Sequence, residues 1–494
     1  MIKYISTRNT DKSPDLVSSA EAIKKGLAPD RGLYMPTEIP SLAAQDIEKL
    51  CALPYCERAA DILSRFLTDY DREKLLADCR EAYSEERFPG GAAPLCDIGD
   101  GRFSLELWHG PTCAFKDMAL QIMPRLLSSS LTMTGEKKRA HILVATSGDT
   151  GKAALEGYRD VPGVDITVFF PADGVSRMQK MQMTTQEGEN VNVAAVFGNF
   201  DDAQNGVKAI FADKELAEKA NGAGFFFSSA NSINWGRLAP QIAYYVSAYC
   251  DLVSMGKIVN GDKINVCVPT GNFGNIFAAY IAKQMGLPIK RFICASNKNC
   301  VLTDFIRTGK YDRNREFHKT SSPSMDILIS SNLERLLYLV AGPAETASYM
   351  EALAKNGEYT VSDKVLEKIS SEFAGFYCDE DKTLAAIKKT FAENGYLCDT
   401  HTAVAIGCLE EYKELSGDDT VTVIASTASP YKFPADVICA LGGTSPDDPA
   451  AMLDTLEALS KTSAPAPLKR TLSLPVRFTD TIEPSDMADY IFKN

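Results

Sequence analysis

Positive charge is what this sequence is short of. Lys and Arg number 52 against 65 Asp and Glu, a formal net charge of −13 at pH 7. That balance speaks against a general nucleic-acid binder, since such proteins gather a basic face against phosphates. Any anion site must be local. Long apolar runs are also missing: none approaches the roughly 18 residues a membrane span requires, and the opening MIKYISTRNTDKS lacks the apolar core of a secretory signal. Histidine is scarce, with four in the chain and no ligand spacing among them, so no catalytic metal is expected. Thirteen cysteines lie scattered without close metal-type pairs, as reduced and mostly buried thiols do. These shortages together describe a cytoplasmic protein with neither nucleic acid nor membrane as partner.

What is present suits a multidomain globular chain. Its 494 residues exceed one ordinary core, and an apolar share of 45% is typical of such proteins. The stretches HILVATS, DITVFFP, NVNVAAVFG, GFFFSSA, INVCVPT, RFICASN and VTVIAST read as strands, being short, β-branched or aromatic, and bounded by turn residues. Helical spacing separates them at Val175 to Glu187, Asp202 to Lys219 and Ile276 to Met285. Such alternation predicts an α/β fold, a parallel sheet covered on both faces. Residues 1–95, with short helices around AEAIKKGL and DREKLLADCREAYSEE, read as a mainly helical N-terminal cap. The division expected beyond it is a first α/β domain over 96–255 and a second over 256–445, with a helical insertion from Glu334 to Leu415. Residues 446–494 form a C-terminal extension whose SAPAPLKR stretch suggests loose packing. The basic cluster GEKKRAH, at Lys137, Lys138 and Arg139, reads as a solvated loop.

Three turns follow strands at the edge where open α/β sheets bind ligands. ATSGDTGKAA, Ala145 to Ala154, fails as a P-loop because the spacing from Gly148 to Gly151-Lys152 is too short and Ala153 stands in the Ser/Thr place. It remains a polar turn whose N–H groups and hydroxyls at Thr146, Ser147, Gly148 and Thr150 suit a carboxylate at a helix N-terminus. In PTGNFGNIFAAYIA, the N–H groups from Gly271 through Asn272, Phe273 and Gly274 to Asn275 converge where a helix dipole adds positive potential, which suits a phosphate without any lysine. ASTASPYKFP offers Ser426 and Thr427 at the same edge. With Lys116 in HGPTCAFKDMALQ at the head of an apolar stripe, the set points to pyridoxal 5'-phosphate, which needs an amine for a Schiff base and a seat for its phosphate.

HGPTCAFKDMALQ, ATSGDTGKAA, ANSINWGRLAPQ, PTGNFGN and STASPYKFP, in that order, resemble the threonine synthase family in its longer bacterial and fungal type. YISTRNT, GLAPDRGLYMP and HTAVA at His401 to Ala405 extend the likeness over nearly the whole chain. The resemblance implies a fold-type-II pyridoxal-phosphate enzyme, with the tryptophan synthase β-like arrangement, converting O-phospho-L-homoserine and water into L-threonine and phosphate. It implies that Lys116 carries the cofactor, that Gly271 to Asn275 hold its phosphate, and that Thr427 meets the pyridine nitrogen. Asp149 stands where many relatives place an asparagine near the phenolic oxygen. Two departures concern substrate contacts: Ser429 and Tyr431 replace the usual His and Ala of the last motif, and Arg31 replaces a small residue after Asp30.

For the substrate's own phosphate, Arg237 is the best candidate, followed by Lys180 and Arg177, with Ser228, Asn231 and Asn234 as neutral donors. The bland alternative for Arg237 is an exposed helical arginine paired with an acid. His109 and His401 read equally as proton relays or as hydrogen-bonded structural residues, and Cys113 as a packed side chain. Two rival functions stay open: a phospho-lyase that releases a keto acid, and a non-catalytic ligand-binding relative. A monomer or a homodimer is expected.

Overall fold

The computed structural model describes residues 1–494 apart from 12, 13, 147, 174 and 494, and apart from the side chain at position 201. Two sheets organise it. In the first, strands run in the order Thr481–Ile482, Val191–Val196, Val164–Pro171, Arg139–Ala145 and Phe225–Ser228, all parallel. In the second the order is Phe373–Tyr377, Ile289–Ser296, Ile264–Pro269, Thr422–Ser426, Arg102–Glu106 and Leu95–Asp97, with only the last pair antiparallel. Strand Arg139–Ala145 is buried from Ala140 onward, and Ile264–Pro269 throughout. Near-continuous apolar runs of this kind form strands covered on both faces, which is why six of the seven expected strands are found inside the sheets; the seventh, Phe225–Ser228, is found at an edge.

Helix Trp235–Ser254 joins the parts. Its polar positions are few and 17 of its 20 residues are buried, the pattern of a helix apolar all round and enclosed by others. It packs on helices Tyr55–Phe66 and Gly274–Met285, so the N-terminal helical region and the start of the second sheet share one support. A two-stranded antiparallel ribbon, Tyr4–Ser6 with Tyr34–Pro36, completes the N-terminal region.

Three expectations need correction. The segment Asp202 to Lys219 is two helices, Phe200–Ala212 and Lys214–Gly222, because the Asp213 carboxylate caps the second by accepting from Glu215 and Leu216 N–H. The helical insertion contains strands Glu358–Thr360 and Phe373–Tyr377, the latter paired with Ile289–Ser296. The C-terminal stretch is not loosely packed. Thr481–Ile482 extends the first sheet beside Val191–Val196, and helix Met487–Lys493 buries Met487, Tyr490 and Ile491 against Phe169, Ala203 and Val207.

Candidate active site

Lys116 sits at the start of the one-turn helix Asp117–Leu120, on a loop tied along the end of strand Thr422–Ser426. Phe115 N–H donates to the Thr427 carbonyl at 2.8 Å, Ser429 N–H donates to the Cys113 carbonyl at 3.1 Å, and Ala114 bridges Ala428. Cys113 takes a left-handed φ of 58° to make the turn. Asp117 accepts from Thr112 N–H at 2.8 Å and from its hydroxyl at 2.7 Å. Burial raises this carboxyl to about 6 against those hydrogen bonds. The motif thus sets Lys116 rigidly next to Thr427.

The Lys116 ammonium is enclosed. Its Nζ lies 3.6 Å from Asp149 Oδ2 and 3.5 Å from Ser324 Oγ. Burial lowers its proton affinity, with Asp149 pulling the other way and Lys432 and Arg237 adding to the fall. Asp149 begins helix Asp149–Tyr158. Burial would raise its carboxyl, but Lys432 and Lys116 together with hydrogen bonds from Lys432 and Gln179 hold it well below the usual carboxylate range. Lys432, fully buried, makes the shorter pair at 2.8 Å and also donates to the Thr112 carbonyl at 2.9 Å. Asp149 is therefore the ion partner of Lys432 first, and Lys116 is left inclined towards the neutral amine.

Thr146 ties together Gly148 and Gly151 on either side of Asp149. Thr146 Oγ1 accepts from Gly148 and Gly151 N–H, each at 3.0 Å, while Gln179 Nε2 donates to Asp149 at 2.9 Å. Gly148 has φ 146°, and a Cβ there would fall 2.4 Å from the Gln179 amide, so glycine is required twice over. Thr150 is half-buried and Ser147 lies outside the described residues. Lys152 turns away to pair with Glu156 at 3.2 Å, consistent with the failed P-loop pattern.

The GNFGN loop meets the site through Ser324. A Cβ on Gly271 would lie 2.9 Å from the Ser324 carbonyl, and Ser324 Oγ donates to Asp149 at 3.1 Å. Phe273, at φ 62°, caps helix Gly274–Met285 and leaves its first N–H groups without helical acceptors. Asn275 is 8% exposed; its Oδ1 accepts from the hydroxyls of Tyr244 and Tyr245, and its Nδ2 has no partner. Asn272 is exposed. An orphaned buried donor beside free helix-start N–H groups fits a phosphate ester, and a buried amine of lowered proton affinity fits an aldehyde.

Of the residues assigned to substrate phosphate, Arg237 is 3% exposed and pairs with no carboxylate among the described residues. One guanidinium nitrogen donates to the Ala230 carbonyl, while Nε has no partner. Burial pushes its proton affinity down to about 10, against Tyr158 and Tyr244. The exposed, acid-paired alternative is overturned. Ser228 Oγ is likewise buried without a partner. Asn234 is engaged at both ends, accepting from Gly236 N–H and donating to the Ile23 carbonyl at 2.9 Å each. Asn231 is half-buried, and Lys180 and Arg177 are exposed on helix Arg177–Thr184, where Arg177 donates to the Asp447 carbonyl.

Three residues escaped single-residue reading. Lys432 lay inside a quoted motif without a role, and Ser324 and Gln179 carried no local signal. His401 joins them from the second sheet's side: Ser324 N–H donates to its Nε2 at 3.2 Å, and Nδ1 faces Asp399 at 2.7 Å. His109 instead pairs with Glu106 at 2.7 Å and stacks on Trp108.

Comparison with known proteins gives the family. The chain matches the families described as threonine synthase N terminus over residues 3–83, pyridoxal-phosphate dependent enzyme over 103–427 and threonine synthase, C-terminal over 402–486. It is 37% identical to a threonine synthase of Pseudomonas aeruginosa, covering 92% of this chain and 94% of that protein. Identity to threonine synthase-like 1 of Homo sapiens is 41%, over 89% of this chain, and the chain spans about 60% of that relative's length. Among solved structures, a PLP-bound threonine synthase from Brucella melitensis superposes with TM-score 0.86 at 36% identity, covering 99% of both chains. The yeast threonine synthase gives 0.88 at 33%, covering 100% of this chain and 98% of that one. A parallel-rich architecture with a helical N-terminal region, an enclosed Lys116 and these three matches in sequence order lead to one conclusion: the chain belongs to the threonine synthase family of pyridoxal-phosphate-dependent enzymes.

Proposed function

We propose that this chain converts O-phospho-L-homoserine and water into L-threonine and phosphate, acting as a monomer or homodimer in the cytoplasm. The observation that carries the reading is Lys116, buried beside Asp149 on a loop bonded to Thr427. All thirteen cysteines are free, which suits a reducing compartment. Gly271, Asn272, Phe273, Gly274 and Asn275 would hold the cofactor's phosphate, Lys116 its aldehyde carbon and Thr427 its pyridine nitrogen. Asp149 would lie at the phenolic edge with its charge met by Lys432. When bound, pyridoxal phosphate supplies a conjugated electron sink beside the substrate's α-carbon.

The chain's own groups account for the remaining work. Lys116, displaced by the substrate amine, stays in a pocket where burial favours its neutral form, so it can take a proton from the α-carbon and return it later. Asp149, kept ionised, holds the Lys116 Nζ on one side. Thr146, Ser147, Gly148 and Thr150 suit the substrate carboxylate at a helix start. Arg237, a buried cation without an anion, suits the leaving phosphate, with Ser228, Asn231 and Lys180 as further donors and Asn234 fixing the turn. Loss of the γ-phosphate together with a β-proton, followed by addition of water with its hydroxyl at the β-carbon and its proton at the γ-carbon, balances the reaction.

Incubation with phosphohomoserine and identification of the amino-acid product tests this. Threonine with equimolar phosphate is the expected result. A keto acid with phosphate would establish the phospho-lyase reading. No turnover by the cofactor-loaded chain would establish a non-catalytic relative.

A further inference from the structure

A second cavity, of about 310 Å³, lies outside the Lys116 site, where the N-terminal region meets the helical insertion. Its volume falls at the lower end of small-molecule sites, about 300–1,000 Å³. Its charge is unbalanced. Arg8 and Glu334 line it and neutralise each other through two hydrogen bonds of 2.8 and 2.7 Å. Arg31 and Arg313 also line it, and neither has a carboxylate partner among the described residues. Arg31 is exposed and Arg313 half-buried, and in a chain of net charge −13 two guanidinium groups without ion partners on one cavity give it a positive lining that favours an anion.

Two further observations point to a ligand. Tyr359 lines the same cavity, is 6% exposed, and its hydroxyl is buried with no hydrogen-bond partner. Its ring is immobilised by stacking on Tyr311 at 5.3 Å and Tyr349 at 5.3 Å, so the hydroxyl cannot swing away to find a partner elsewhere. Arg31 holds a left-handed φ of 67°, a conformation that glycine or asparagine adopts with less strain and that persists at ligand sites when surrounding structure requires it. The rest of the wall is apolar, with Leu33, Ile233 and Leu353.

We propose that this cavity binds a small anion with an apolar body, its phosphate or carboxylate held by Arg31, Arg313 and the Tyr359 hydroxyl. The site shares a wall with the cofactor-phosphate loop. Ser330 and Ser331 line the cavity on one side, while on the other Ser330 Oγ donates to the Gly271 carbonyl at 2.7 Å and Ser331 Oγ reaches Asn272 Oδ1 at 3.4 Å. The cavity is thus a neighbour of that loop, separated from it by Ser330 and Ser331.

The test is calorimetric titration of the full-length holoenzyme with phenyl phosphate and, separately, 3-phenylpropionate. The cofactor's absorption spectrum is followed at the same time to report occupancy of the Lys116 site. Binding of either probe without a spectral change is expected, and which of them binds tells phosphate from carboxylate. Arg31→Gly, which suits the left-handed backbone and so spares the fold, and Arg313→Gln should each weaken binding about tenfold or more. Tyr359→Phe, keeping the ring stack, should weaken it about threefold or more. The proposal fails if neither probe binds the unmodified chain, if the three variants bind as tightly as it does, or if binding always tracks the cofactor spectrum.

Discussion

At the scale of single residues, the site is ordered by which buried charges are matched. Asp149 has two cations within reach, and the shorter contact belongs to Lys432, so Lys116 is the group left free to react. Lys116→Ala should abolish the lysine-linked absorption of the cofactor and lower threonine formation by about 10³-fold or more. Borohydride reduction followed by peptide mapping checks the linkage; pyridoxyl label on another lysine would end the assignment. Arg237 is the opposite case, a buried cation with no matched anion. Arg237→Ala should retain the cofactor spectrum and lose roughly 2–3 kcal/mol of transition-state stabilisation in kcat/KM for phosphohomoserine. If the variant instead sheds cofactor while turnover per bound cofactor is normal, the guanidinium serves the cofactor's phosphate and the substrate's must be sought at Lys180.

At the scale of elements, the turns carry the function and the strands carry the turns. Gly271→Ala would set a Cβ 2.9 Å from the Ser324 backbone, which cannot move without disturbing Lys116 and Asp149. Cofactor affinity and kcat should therefore fall together, each about tenfold or more. Dialysis against buffer and steady-state rates measure the two; unchanged values in a folded variant would show that the Ser324 link is idle. This link is also where sequence reading stopped. Six of the seven expected strands lie inside the sheets and were legible because burial on both faces writes an unbroken apolar run, while the edge strand Phe225–Ser228 was legible from its aromatic run. Phe373–Tyr377 was not, since its five residues sit between long helical patterns and its partner Ile289–Ser296 is remote in sequence. The same holds in the site. Lys116 and the glycine turns stand in local motifs, whereas Ser324 meets Lys116 across 208 positions, Asp149 across 175 and His401 across 77. No local pattern records contacts of that span.

At the scale of the whole molecule, the C-terminal residues close what the middle of the chain begins. Tyr490 is buried against Phe169, and its hydroxyl donates to the Val193 carbonyl at 3.0 Å. Tyr490→Ala should cost roughly 3 kcal/mol locally and speed amide exchange in Val191–Val196 ahead of the second sheet, with the cofactor spectrum unchanged before heating. Equal protection of that strand in both proteins would show that the C-terminal helix is not its cover. The closure also has a meaning in time. Tyr490 lies 297 positions after Val193, and at about 5–20 residues per second a ribosome takes on the order of 15–60 s to span that interval. Through that wait the outer strand of the first sheet offers bare amide and carbonyl groups to any neighbour. Yield during synthesis is thus governed by how that edge is shielded before its own cover emerges, and a holding chaperone or slow expression at low temperature should raise it.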